Sequence, residues 1–164
     1  MSGIVGTSHS KAGVIGQAPT GRFDEWRMTS AVSSTGVLGN GNVSNNLRHG
    51  LNVTVSSGIW TLPETGVYKL EVSGNAIHNG SSRYPYIYTQ VDYGADTSYV
   101  TVAYAMFQMA NLSDNSYDNC HSSVSVNCSA GDLVKFIYGG SSVTFQGHAT
   151  ENFTYFRFTK IRAV

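Results

Sequence analysis

Charge is what this chain has least of. Only 12% of its 164 residues are charged, ten basic against ten acidic, so the formal net charge is zero. That leaves no basic footprint to draw it to nucleic acid or to an anionic membrane surface. Long apolar runs are missing as well. No stretch approaches the roughly 18 residues of a membrane span, and Met1 to Gly16 lacks the charged start and unbroken apolar run of a secretory leader. The chain is therefore expected to be made in a cytosol and to stay there. The sequons at Asn52, Asn111 and Asn152 are read as chance products of a Ser/Thr-rich chain, without glycosylation. Cysteine is scarce, with Cys120 and Cys128 alone. The segment between them alternates as a strand does, and eight extended residues span roughly 26 Å. A disulfide needs Cα atoms within about 7 Å, so both are expected as free thiols.

Catalytic furniture is absent too. There is no Gly-x-Ser-x-Gly elbow, phosphate loop or Cys/His nucleophile signature. His9, His49, His78, His121 and His148 share no zinc-site spacing with one another or with cysteine, and His121 and Cys120, as strand neighbours, point to opposite faces. Asp114 to Asn119 clusters oxygens as a calcium loop does, but lacks the glycine and closing glutamate of an EF-hand, which leaves a solvated loop. Glu64, Glu71 and Glu151 are scattered carboxylates with no sign of a glycosidase pair. No enzyme activity, metal or cofactor is expected. What remains as a possible site is a surface of Tyr, Asn and Ser, a palette suited to proteins or sugars.

Against these absences stand 41% hydrophobic and 12% aromatic residues, too many for a disordered chain and enough for one core at this length. Near-zero net charge gives little colloidal repulsion, which suits a protein held in an assembly. From about Phe23 the apolar pattern has period two. Leu51, Val53 and Val55 alternate with polar residues, as do Tyr68, Leu70 and Val72, and as do Val134, Phe136 and Tyr138. Tyr84 to Tyr93 and Tyr99 to Met109 are apolar on both faces, which predicts strands covered on both sides, within a sandwich or at a subunit contact. In the last strand, Phe153 to Ile161, Phe156 and Phe158 share one face and Tyr155 and Arg157 the other. Turn clusters such as Gly39-Asn40-Gly41-Asn42, Pro63 to Gly66 and Ala130-Gly131-Asp132 separate the runs. Eight to ten short strands at this spacing, with no helical period, predict an all-β jelly-roll sandwich over residues 22–164.

Residues 1–21 differ. Two apolar pairs, Ile4-Val5 and Val14-Ile15, lie between glycines in a Gly/Ser-rich segment. Two side chains at a time, at roughly 2 kcal/mol per fully buried Ile or Val, bury too little to order it alone. An extended arm is expected, docked on a neighbouring subunit or tucked against its own domain.

Trp60-Thr61-Leu62-Pro63-Glu64-Thr65-Gly66-Val67-Tyr68-Lys69-Leu70 resembles the F-x-x-P-x-x-G-x-Y-x-F signature of the C1q/TNF-like jelly-roll superfamily, with Trp60 and Leu70 in place of two phenylalanines. Pro ends one strand, Gly is expected to permit the turn, and Tyr68 and Leu70 enter the core. Gly131-Asp132-Leu133-Val134 is similar to the family's G-D-x-V turn, whereas Phe153-Thr154-Tyr155-Phe156 lacks the glycine of its F-x-G motif. The resemblance implies a homotrimer packed by aromatic residues, for which the row Tyr84, Tyr86, Tyr88, with Tyr155, is the candidate; simple sheet packing is the alternative for that row. Met1-Ser2-Gly3-Ile4-Val5-Gly6 resembles the start of many virion proteins of tailed bacteriophages, in which a Gly-rich arm precedes a jelly-roll head. Together these imply a trimeric capsid decoration, or cement, protein on the outer surface of the virion. Ile4, Val5, Val14 and Ile15 are the expected anchors on the major capsid protein or another virion protein. The alternatives are a tail- or head-fibre module whose loops, such as Asn111 to Asn119, bind a host glycan, and a cytosolic C1q-like ligand-binding domain.

Overall fold

The computed structural model describes residues 22–78, 84–108, 115–140 and 142–164. The anchors Ile4, Val5, Val14 and Ile15, with the whole of 1–21, and Asn111 and Asp114 of the two candidate loops lie outside these residues. Among the described residues there is no helix, and the strands are β1 (Arg22–Met28), β2 (Val32–Ser33), β3 (Gly36–Val37), β4 (Val43–His49), β5 (Thr54–Ser56), β6 (Ile59–Thr61), β7 (Gly66–His78), β8 (Tyr86–Asp92), β9 (Tyr99–Met106), β10 (Ser116–Cys128), β11 (Leu133–Gly139), β12 (Val143–Phe145) and β13 (Tyr155–Arg162). They build the expected sandwich from two antiparallel sheets, one of seven strands and one of six.

The larger sheet is organised by β7, whose side chains alternate between buried and half-buried over its whole length. Tyr68, Leu70, Val72 and Ala76 enter the core, while Lys69, Glu71, Ser73 and Asn75 face outward. β10 pairs along one side of β7, from Cys128 opposite Gly66 to Ser116 opposite His78. On its other side lie β13 and then β12, with β1 beside β13 and β4 beyond β1. The smaller sheet runs β5-β6-β11-β8-β9, which leaves β9 at its edge. Between the sheets, Trp60 lies 4.6 Å from the Phe156 ring, 5.4 Å from Phe136 and 5.7 Å from Phe158, all four fully buried. Such pairs add roughly 0.5–1.5 kcal/mol each to the burial of their area.

The signature around Trp60 sits where the two sheets meet. Trp60 and Leu62 are buried before Pro63, and Tyr68 and Leu70 are buried after it. Gly66 has a different reason from the expected one. Its φ is not positive, and a Cβ there would stand 2.6 Å from the Arg162 carbonyl oxygen, so glycine permits the close approach of β13 rather than a turn. Leu51 and Val53 are buried as expected but lie outside a strand, because Asn52 between them takes a left-handed φ of 63° and breaks the ladder before β5. Cys120 and Cys128 are free thiols, buried on the same face of β10, as the strand spacing requires.

The expectation that the runs at 84–93 and 99–109 are covered on both faces needs correction within the subunit. β8 buries Ile87, Thr89 and Val91 and leaves Tyr86 and Tyr88 half-exposed, while β9 exposes Val100, Tyr104 and Met106. Their apolar outer face is not covered by the sandwich. An apolar run says that two faces tolerate burial, not that the strand lies away from an edge.

Candidate functional site

The register of β8 with β9 places Tyr86 opposite Met106 and Tyr88 opposite Tyr104. A bulge after Thr89 then brings Gln90 opposite Thr101, whose hydroxyl accepts a hydrogen bond of 3.0 Å from the Gln90 amide. Tyr88 is the middle of a tyrosine cluster. Its ring centroid lies 4.7 Å from Tyr104, nearly parallel, and 4.9 Å from Tyr86, while Tyr86 and Tyr104 are 6.2 Å apart. On the opposite flank β11 sets Ile137 beside Tyr88 and Gly139 beside Tyr86. A Cβ on Gly139 would fall on the Tyr86 hydroxyl and Cζ, so the glycine makes the bed on which that ring lies. The Tyr104 hydroxyl donates to the Met106 sulfur at 3.2 Å. Partial loss of water, and then Tyr88, pushes the Tyr104 phenol above its ordinary pKa. Lys135 is the charged side chain of this face, and its ammonium sits 3.4 Å from the centre of the Tyr99 ring. Asp92, at the end of β8, is buried and spent on the backbone N–H groups of Asp96 and Thr97.

The four tyrosines singled out in the sequence do not come together. Tyr86 and Tyr88 belong to the cluster, Tyr84 precedes β8 as an exposed side chain, and Tyr155 lies on the outer face of the other sheet. Tyr104 and Met106, missed in the sequence, complete the cluster. Only the β8–β9 register identifies them, and that register depends on a bulge that no local motif announces.

The outer face of the larger sheet is broader and carries paired charges. Glu25 on β1 takes the Arg157 guanidinium on one carboxylate oxygen, with Nε at 2.9 Å and Nη2 at 2.5 Å, and accepts from Asn46 and Asn152 on the other. Lys69 and Glu71 pair at 2.8 Å. At the start of β1, Arg22 and Lys160 both hold Glu64. The Arg22 hydrogen bond, and then that of Lys160, lowers the Glu64 carboxyl to about 2.

A cavity of about 360 Å³ opens at one end of the sandwich between Thr65, Tyr93, Ala95, Cys128, Asp132 and Val164. Burial, and then the Asp132 charge, pushes the Cys128 thiol up to about 12, and the buried Asp132 carboxylate accepts from the Gly94 and Ser129 N–H groups at 2.9 and 2.7 Å. Burial also pushes the Cys120 thiol up to about 12. Among the described residues no group of three or more His, Cys, Asp or Glu side chains is placed to hold a metal ion.

No protein-family model matches the chain, and no curated protein matches it. Solved structures do. The Eiger TNF of S. frugiperda superposes with a TM-score of 0.72 at 10% identity, over 88% of this chain and 94% of that one. Murine APRIL at pH 5.0 superposes with a TM-score of 0.66 at 15% identity, over 85% of this chain and 98% of that one. At such identities the likeness shows the fold, a TNF-like jelly-roll sandwich.

Proposed function

We propose that this chain is a homotrimeric virion protein of a tailed bacteriophage, a capsid decoration protein that sits on the outer surface of the shell and docks on the major capsid protein through residues 1–21. The observation that carries the assembly role is the outer face of the larger sheet. It spans the long strands β7 and β10 with β13, β1 and β4, and its ionic groups Lys69–Glu71 and Glu25–Arg157 are already paired within the subunit. A neighbouring copy can cover these two pairs without stranding either charge, whose burial unpaired costs several kcal/mol; Arg27, opposite Tyr155 on the same face, is instead held by the Asn46 side-chain oxygen and the Thr150 carbonyl. Tyr155 lies on this face, which makes it the member of the sequence-predicted set best placed for the trimer contact. The virion role draws its support from the phage-like start of the sequence. The Arg22–Glu64–Lys160 clamp fixes the chain at residue 22.

Light scattering coupled to size exclusion tests the assembly, and mixing with capsids stripped of accessory proteins tests the docking. The full chain is expected to run at three times its 17.6 kDa mass and to bind capsids. Deleting residues 1–20 is expected to leave the trimer and abolish capsid binding, and full-strength binding by the truncated form overturns the role of the arm.

A further inference from the structure

The tyrosine face of the smaller sheet is not needed for that assembly, and its chemistry points elsewhere. We infer that the outward face of β8, β9 and β11 binds a neutral oligosaccharide, seated on the exposed Tyr104 ring and across the edges of Tyr88 and Tyr86, between the Tyr86–Met106 row and the Gln90–Thr101 row.

Charge separates the candidate ligands first. Tyrosine, Met106, Ile137, Gln90 and Thr101 furnish the face, and its lysine, Lys135, is already covered by the Tyr99 ring. A nucleic acid would find stacking rings but, among the described residues of this face, Lys135 alone for its phosphates, and those contacts dominate its affinity. An anionic glycan meets the same deficit. A neutral pyranose needs no counter-charge: its C–H face stacks on the side of the Tyr104 ring turned away from Tyr88, while its equatorial hydroxyls bond to amides and phenols at the border.

Size favours a small ligand over a second copy of the chain. A stable protein contact takes about 20–30 residues a side, and the apolar part of this face is three rings, Met106 and Ile137, beside Gln90, Thr101, Tyr99 and Lys135. Along the strands, successive outward rows lie about 6.7 Å apart, so the three rows span about 13 Å, which fits a short oligosaccharide. The platform is also built before any ligand arrives. Tyr86 lies over Gly139, Tyr88 is wedged between two rings, and the Tyr104 hydroxyl is tied to Met106, so little rotamer freedom remains to be lost on binding.

The test uses the full-length chain and titration calorimetry with cellohexaose, maltohexaose, mannohexaose and chitohexaose, beside a heparin hexasaccharide and a ten-nucleotide oligo(dT). At least one neutral hexasaccharide is expected to bind with Kd between about 10 µM and about 1 mM. Tyr104→Ala, at an exposed edge position where circular dichroism will check the fold, is expected to weaken it about 10-fold, and Tyr104→Phe no more than about 3-fold. Gly139→Ala, which displaces the Tyr86 ring, is expected to weaken it as well. Three results overturn the inference: no saturable binding of any neutral hexasaccharide, a preference for heparin or oligo(dT), or binding that Tyr104→Ala leaves unchanged. Capsid binding by Tyr104→Ala should equal that of the unaltered chain, so failure here and failure of the decoration role are read separately.

Discussion

Glu64 shows how a single exposed side chain acquires a measurable role. Arg22 and Lys160 approach its carboxylate from β1 and β13 and hold its pKa at about 2, well below its ordinary value of 4.5. Because the folded value is the lower one, the clamp contributes stability that is complete above the ordinary carboxylate pKa. That contribution is lost as the pH falls from about 4.5 through about 2. Thermal unfolding followed from pH 6 to pH 2 should show the midpoint falling in that window for the unaltered chain. Glu64→Gln, which cannot titrate, should flatten that part of the fall; an unchanged profile would mean that the ions share no energy. Asp132 is the buried counterpart. Its carboxylate ties the Gly94 turn to the Ser129 turn, so Asp132→Ala strands two N–H groups and is expected to cost about 2–4 kcal/mol in urea unfolding.

At the scale of the element, β7, β11 and β13 were legible because strict period-two alternation meets a core that accepts one face. Tyr68, Leu70, Val134, Phe136, Phe156 and Phe158 are all buried where the alternation puts them. Legibility failed where a partner sets the outcome. The apolar run at 99–106 reads the same whether its strand is central or, like β9, at an edge, and the Asn52 φ that halts the Leu51–Val55 pattern is invisible to hydropathy. The tyrosine site was half-legible for that reason: Tyr86 and Tyr88 alternate within one strand, whereas Tyr104 joins them only through pairing. Gly66 gives this a test. If its role is the close approach of β13, Gly66→Ala must push a methyl against the Arg162 carbonyl and is expected to cost about 1–3 kcal/mol in urea unfolding. A turn glycine with no crowded neighbour would give less than about 1 kcal/mol at an ordinary φ.

At the scale of the molecule, the sandwich has two outward faces with different chemistry. A threefold contact is head to tail and joins two different patches of each copy, and patches set on directly opposite faces stack copies into an open filament instead of closing the ring. The larger sheet has the breadth and the internally paired charges for a subunit contact, and the smaller sheet has the compact uncharged tyrosine platform. A cation placed on each face in turn separates the roles. Tyr155→Lys would set a second cation directly opposite Arg27, which has Asn46 and the Thr150 carbonyl as hydrogen-bond acceptors, and bury it at the proposed contact. Burying an unpaired charge costs several kcal/mol per copy, enough to dissociate the assembly at micromolar concentration. Light scattering should then find a folded species near the 17.6 kDa of one chain. Tyr104→Lys adds the same charge to the exposed edge of the other sheet and should leave the mass at that of the proposed trimer. The reverse pattern, an assembly that tolerates Tyr155→Lys and falls apart with Tyr104→Lys, would move the subunit contact onto the tyrosine cluster and leave no open platform for a sugar.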